Sequence, residues 1–253
     1  MFRHQGPART LRANAILAGY LAFVAGFVNS GGFILIGSFT SHVTGSVGRL
    51  SNDVANGDFG AAFFAALLVA TFFVGSLAAS LMLEGPRAAH LPRAYGTALF
   101  IEGLLLASFI FFAGLSQTSH LRLRDAEAAI LCAAMGMQNS LVTRLSGAVV
   151  RTTHLTGVVT DLGIETAHWL RLRVRRWGPG ESWTADEQRP PTGARISLLL
   201  TIATTFIVGA LLGATLTSLA SRWAMVAPAC AVWLASAFAF FQRPAVPDSP
   251  RDM

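Results

Sequence analysis

The residues able to do chemistry in this 253-residue chain are few, and they come in matched sets. The segment Thr40-Ser41-His42-Val43-Thr44-Gly45-Ser46-Val47-Gly48-Arg49-Leu50 aligns with Thr152-Thr153-His154-Leu155-Thr156-Gly157-Val158-Val159-Thr160-Asp161-Leu162 at an offset of 112, with six of eleven positions identical. Each copy carries a His-x-Thr-Gly core, made of His42, Thr44 and Gly45 in the first and His154, Thr156 and Gly157 in the second. An imidazole changes charge near neutral pH, a threonine both donates and accepts, and a glycine tolerates a break or a close backbone approach. Such a set suits reversible binding of a proton or a small polar solute. Beyond it, His154, Asp161, Glu165 and His168 are spaced by 7, 4 and 3, which places them on one helical face, and His42, Arg49, Asp53 and Asn56 repeat that spacing. The stripe reads either as the lining of a pathway or as the solvated face of an interfacial amphipathic helix. Arg49 stands where the second copy has Asp161, so charges of the two copies could pair.

Three further polar residues stand out because their neighbours are apolar. Glu102 lies between Phe100-Ile101 and Gly103-Leu104, and a carboxyl inside a membrane helix is by default a proton or cation site. The structural alternative is an interhelical hydrogen bond, for instance to the amide of Asn29 or Asn139. Those two asparagines sit in Gly26-Phe27-Val28-Asn29-Ser30 and Gly136-Met137-Gln138-Asn139-Ser140, a second duplication at an offset of 110. Their amides are suited to backbone groups freed by a helix break. No catalytic residue, cofactor or metal is expected. The stripe lacks an i, i+4 histidine pair and has Arg49 in its first copy, Gly45-Ser46-Val47-Gly48 lacks the lysine of a phosphate loop, and no nucleophile or dinucleotide motif occurs in a credible context.

These side chains must be held by elements that live in lipid. The chain is 53% hydrophobic and 13% charged, about half the charge of a soluble globule, which excludes a cytosolic enzyme, a secreted disulfide scaffold and a disordered tail protein. All 19 basic residues are arginines, and most stand between apolar runs rather than in one stripe, so they read as topology determinants and headgroup contacts, not as a nucleic-acid surface. Cys132 and Cys230 are expected to act as small hydrophobes.

Six runs approach the roughly 20 residues needed to cross a bilayer: 14–37, 60–83, 94–115, 126–143, 196–219 and 223–241. The fourth is shortest and contains Gln138 and Asn139. With the N-terminus inside, thirteen arginines fall on the cytoplasmic side and four on the other, leaving Arg144 and Arg151 unassigned. This predicts a cytoplasmic segment 1–13, a transmembrane domain 14–241, a basic cytoplasmic loop 171–195 and a cytoplasmic tail 242–253.

The duplications extend to the second runs, where Thr71-Phe72-Phe73-Val74-Gly75 pairs with Thr205-Phe206-Ile207-Val208-Gly209 at an offset of 134. Repeat one is therefore 14–115 and repeat two 126–241. Three crossings is an odd number, so consecutive copies enter from opposite sides. The fold class expected is all-α, a polytopic membrane protein with six transmembrane helices as a 3+3 inverted repeat whose first helix is interrupted in each copy. A continuous helix over 14–50 would be about 55 Å long, too long for a membrane. Gly31-Gly32, Gly37 and Gly45 offer places to break it. Gly75 with Ala79, and Gly209 with Gly213, form small-xxx-small patterns that read as close-packing faces within the chain or in a homodimer.

The blocks Ala22-Phe23-Val24-Ala25-Gly26-Phe27-Val28-Asn29 with His42-Val43-Thr44-Gly45, and Gly136-Met137-Gln138-Asn139-Ser140 with Val150-Arg151-Thr152-Thr153-His154-Leu155-Thr156-Gly157 through Asp161, resemble the YoaK family of bacterial inner-membrane proteins. The resemblance spans roughly residues 14 to 241 and implies a six-span protein of the bacterial inner membrane. That family is a domain of unknown function, so no substrate or catalytic residue comes with it. The residues themselves favour a small secondary transporter or channel for an anionic or zwitterionic solute, not an enzyme. Asn29, His42, Thr44, Gly45, Asn139, His154, Thr156 and Gly157 are its expected binding residues, and Glu102 and Asp161 its proton-coupling candidates. The competing classes are a non-transporting assembly or regulatory partner and an intramembrane enzyme. The partners expected are the lipid bilayer and a small solute.

Overall fold

A computed structural model describes residues 11–84, 91–115, 121–145, 155–175 and 192–241. These residues form helices alone: α1 (Leu11–Ile36), α2 (Val43–Ala55), α3 (Phe59–Leu83), α4 (Leu91–Leu115), α5 (Leu121–Leu145), α6 (Leu155–Arg175), α7 (Thr192–Ala220) and α8 (Val226–Phe241), with a 3-10 turn at Ser221–Met225 between the last two. Four stretches are long and apolar enough to cross a membrane, at Ala15–Ile36, Phe59–Leu83, Pro92–Leu115 and Gly193–Phe241. The last holds both α7 and α8. The chain is a helical, membrane-embedded protein. The fifth helix does not reach that apolarity, because Arg124, Asp125, Glu127, Gln138 and Arg144 dilute it.

The helix ends follow from local chemistry. Gly37, at φ +72°, terminates α1 with its N–H on the Phe33 carbonyl, a backbone state that costs a side chain-bearing residue about 1 kcal/mol or more. Gly57, at φ +74°, closes α2, and one residue later the Asp58 carboxylate accepts the Ala61 N–H at 3.0 Å and caps α3. The break after the first run thus falls at residues 37–42. Gly31 and Gly32 lie inside α1, and Gly45 inside α2. The corresponding link of the second half, 146–154, lies outside the described residues.

The helices interlock across the two halves. α1 lies most extensively on α7, α3 on α5, and α4 on α8, while α2 rides on α3 and α6 on α7. Glycine makes the first two contacts. A Cβ added at Gly26 would stand 2.1 Å from the Phe206 carbonyl oxygen, and one at Gly136 would stand 2.0 Å from that of Phe72. Likewise Gly209 meets the Phe23 carbonyl oxygen at 2.1 Å and Gly75 meets that of Ala133 at 2.0 Å. The same pair of contacts is therefore made twice, at the sequence offsets of 110 and 134. The small-residue faces at Gly75/Ala79 and Gly209/Gly213 are taken up inside the chain, with Ala79 fully buried and Gly213 against Phe27.

Side chains add bonds to neighbouring backbones, as is common between membrane helices. The Gln138 amide donates to the Leu21 carbonyl at 2.9 Å, joining α5 to α1. Ser236 Oγ donates to the Gly96 carbonyl at 2.7 Å, joining α8 to α4, and the Tyr20 hydroxyl donates to the Ala231 carbonyl, joining α1 to α8. Large apolar side chains such as Phe59, Phe63, Phe73, Leu81, Leu211 and Leu219 face outward, as a lipid-exposed rim requires.

Where backbones touch, a single methyl forces helices apart. Gly26→Ala and Gly136→Ala should each destabilise the protein by about 1–3 kcal/mol, read as a lower thermal unfolding midpoint in detergent. Gly163→Ala, inside α6 where nothing lies within 4 Å, should not lower the midpoint and should raise it slightly through helix propensity, and an equal loss at all three positions would refute the close-approach account.

Candidate functional site

The chain after Gly37 turns back on α1. Ser41 donates its backbone N–H (3.2 Å) and its hydroxyl (3.0 Å) to the Asn29 side-chain oxygen, so the start of α2 is held beside the nineteenth of the 26 residues of α1. From there α2 runs out again and, past Gly57 and Asp58, α3 returns alongside it. The N-terminus of α2 is thus held beside α1, with the His42 and Thr44 side chains themselves exposed. His42 is the N-cap residue of α2, and its side chain makes no capping bond, so the first-turn N–H groups of α2 are left without intrahelical partners.

That end opens on a cavity of about 480 Å³. Asn29, Ser41, His42 and Thr44 line one side, and Leu155, Thr156 and Gly157, the first three residues of α6, line the other. Phe39, Val43, Phe72 and Phe206 complete it, and the last two stand at the middles of α3 and α7, fourteenth of 25 and fifteenth of 29. Two helix N-termini from different halves of the sequence therefore meet at mid-helix depth, each with its positive dipole end toward the space. The His42 ring packs edge-on to Phe39, with centroids 6.3 Å apart, and folds over Gly45, where a Cβ would stand 2.6 Å from Nδ1. Gly45 itself lines an adjoining cavity of about 230 Å³ with Ser38, Arg49 and Leu68.

Five expected binding residues thus share one cavity: Asn29, His42, Thr44, Thr156 and Gly157. His154 lies outside the described residues. Asn139 is half-buried on α5, its side-chain oxygen without a hydrogen-bond partner among the described residues, and it is not among the lining residues. Asp161 is exposed on α6, one turn beyond Gly157. Glu102 is fully buried on α4 with both carboxyl oxygens unpartnered among the described residues. It bonds neither asparagine, and the Asn29 oxygen is already engaged by Ser41. Arg49 does not reach the second copy either, since it donates to Ser38 Oγ at 3.0 Å. In the second copy Glu165 pairs with Arg195 at 3.1 Å, tying α6 to the start of α7.

A family model described as "Protein of unknown function (DUF1275)" matches residues 17–239. The chain belongs to the DUF1275 family. That membership is consistent with the YoaK resemblance and covers every lining residue of the cavity. No curated protein and no solved structure matches the chain significantly.

Sequence reasoning missed Phe39, Ser41, Phe72 and Phe206. The two mid-helix phenylalanines carried a usable signal, since they occupy the same place in the duplicated Thr-Phe-x-Val-Gly segments. Ser41 aligns with Thr153, a hydroxyl in both copies. Among the described residues no three His, Cys, Asp or Glu side chains converge as a metal site would require.

The Asn29 acceptor is what anchors the start of α2. Asn29→Leu, which leaves the Ser41 N–H without its partner, should speed hydrogen exchange at Ser41 and Val43 by about tenfold or more, while Asn29→Asp, which keeps an acceptor, should not. Unchanged exchange in Asn29→Leu would show that the turn is held by other contacts.

Proposed function

We propose that this protein is a small secondary transporter or channel of the bacterial inner membrane. Its six crossings, α1, α3, α4, α5, α7 and α8, form two inverted repeats of three, with both termini cytoplasmic. The solute site is the cavity between the two repeats. The observation that carries this reading is the meeting of His42 to Thr44 with Thr156 and Gly157 beside the middles of α3 and α7. Sites near the midplane, built from short helices that end there, are the usual arrangement of inverted-repeat transporters. The contacts duplicated at offsets of 110 and 134 support the repeat, and α5, although polar, is supported as a crossing by its length of 25 residues and its burial against α3.

Two positive helix ends, hydroxyls from Ser41, Thr44 and Thr156, and one imidazole favour an anionic or zwitterionic solute. The site holds it without chemical change. Glu102 and Asp161, with a histidine, are the proton-coupling groups in this scheme. Glu102 is the stronger, because a buried carboxyl without counter-ion or donor costs much less when a proton or cation accompanies it.

The deciding experiment places single cysteines at Thr44 and Thr156 in a background lacking Cys132 and Cys230, and applies a membrane-impermeant thiol reagent from each side. Both positions should react, and one class of solute in a metabolite screen should protect both. Free reaction of each cysteine from one surface, with no solute protecting, would overturn the transport reading and favour a non-transporting partner protein. The coupling role is checked separately. A hydrophobic carbodiimide should modify Glu102, read by peptide mass, and Glu102→Gln should abolish the adduct, whereas an unmodified Glu102 would remove it from the scheme.

A further inference from the structure

A second, unrelated opening lies on the outside of the bundle. Between the last turns of α4 and the start of α8 runs a groove of about 520 Å³, lined by Ala107, Phe111 and Gly114 on one side and Arg222, Trp223 and Trp233 on the other. From Ala107 to Leu115 it extends about 12 Å along α4 at 1.5 Å per residue, close to the half-thickness of a hydrocarbon core of about 30 Å. It is apolar along that length and has one cation at its mouth. The Arg222 guanidinium sits 5.2 Å from the Trp223 ring centroid and rests against Gly114, where an added Cβ would be 3.5 Å from Cζ. Among the described residues it has no carboxylate partner. Trp223 is 61% exposed at the turn, the placement of an indole at headgroup level. The inner end is rigid, since the Trp233 indole N–H donates to the Phe100 carbonyl at 3.2 Å and its ring lies over Gly103.

We infer that this groove binds an anionic glycerophospholipid, with one acyl chain along α4 and the phosphate on Arg222. An apolar slot one leaflet deep, ending in an uncompensated guanidinium beside an interfacial tryptophan, complements a lipid end to end. A soluble phosphate would satisfy only the mouth. The inference rests on the chain being embedded in a membrane and not on what crosses it.

The test uses the full chain, delipidated in detergent and titrated with phosphatidylglycerol or phosphatidylcholine of the same acyl chains, with adducts counted by native mass spectrometry. Arg222→Gln should weaken phosphatidylglycerol retention about fivefold and leave phosphatidylcholine unchanged. Arg222→Lys should keep most of the preference, and Arg93→Gln, an exposed arginine at the far end of α4, should have no effect. Gly114→Leu, which fills the mouth, should reduce both lipids. Should Arg222→Gln fail to fold, the wild-type chain still decides, because phosphatidylglycerol should raise its unfolding midpoint more than phosphatidylcholine. Equal retention of the two lipids by wild type, full retention by Arg222→Gln, or displacement of the adduct by inorganic phosphate alone would each overturn the proposal.

Discussion

The arrangement depends on backbone touching backbone. At Gly26 and Gly136 no side chain separates one helix from the next, so α1 meets the Phe206 carbonyl and α5 meets that of Phe72 at distances no other residue allows. Lipid tails are as apolar as leucine, so helices in a membrane gain little by hiding apolar surface, and close approach with its dispersion attraction takes over that role. The same two residues, Phe72 and Phe206, line the cavity. Helix spacing and cavity walls are thus set by one contact made twice, and the depth of the cavity follows from where those phenylalanines fall in α3 and α7.

The two halves share this backbone frame but not their charges. In the first, Asn29 and Arg49 are engaged with Ser41 and Ser38, close to α2 itself. In the second, Glu165 reaches Arg195, and Arg144 on α5 pairs with Glu84 and bonds Ser80. Ser80 also shares a hydrogen bond of 2.8 Å with Ser140, so α3 and α5 are tied by a polar chain near one end. Equivalent cavity walls are therefore braced by unequal means. Glu102 belongs to neither set.

Much of the frame was legible in the sequence because it is written in period and repetition. Six apolar runs correspond to α1, α3, α4, α5, α7 and α8 within a few residues, and the duplicated segments contain both partners of the Gly26–Phe206 and Gly136–Phe72 contacts. Of the His-x-Thr-Gly cores, His42, Thr44, Thr156 and Gly157 line the same cavity. Other features depend on direction in space, which spacing does not encode. That Gly37 rather than Gly31-Gly32 ends α1 turns on which glycine adopts a positive φ and which is needed for a neighbour's approach, here Thr217 and Met225 at Gly31. Asn139 could not be told from Asn29 by sequence, because engagement of the Asn29 oxygen depends on the return of the chain at Ser41. That neither Glu102 carboxyl oxygen has a hydrogen-bond partner among the described residues was likewise a matter of what the helices packed on α4 bring near it, not of its own neighbours along the chain.

The interlocking of α1 with α7 also sets an order of events during synthesis. Gly26 and Phe206 are 180 positions apart, so at about 5–20 residues per second the first helix waits roughly 10 to 35 seconds for its partner. During that interval its small-residue face looks onto lipid or onto the insertion machinery. Neither half can mature alone, since each first helix is completed by the second helix of the other. The ribosome must deliver nearly the whole chain before the bundle can close.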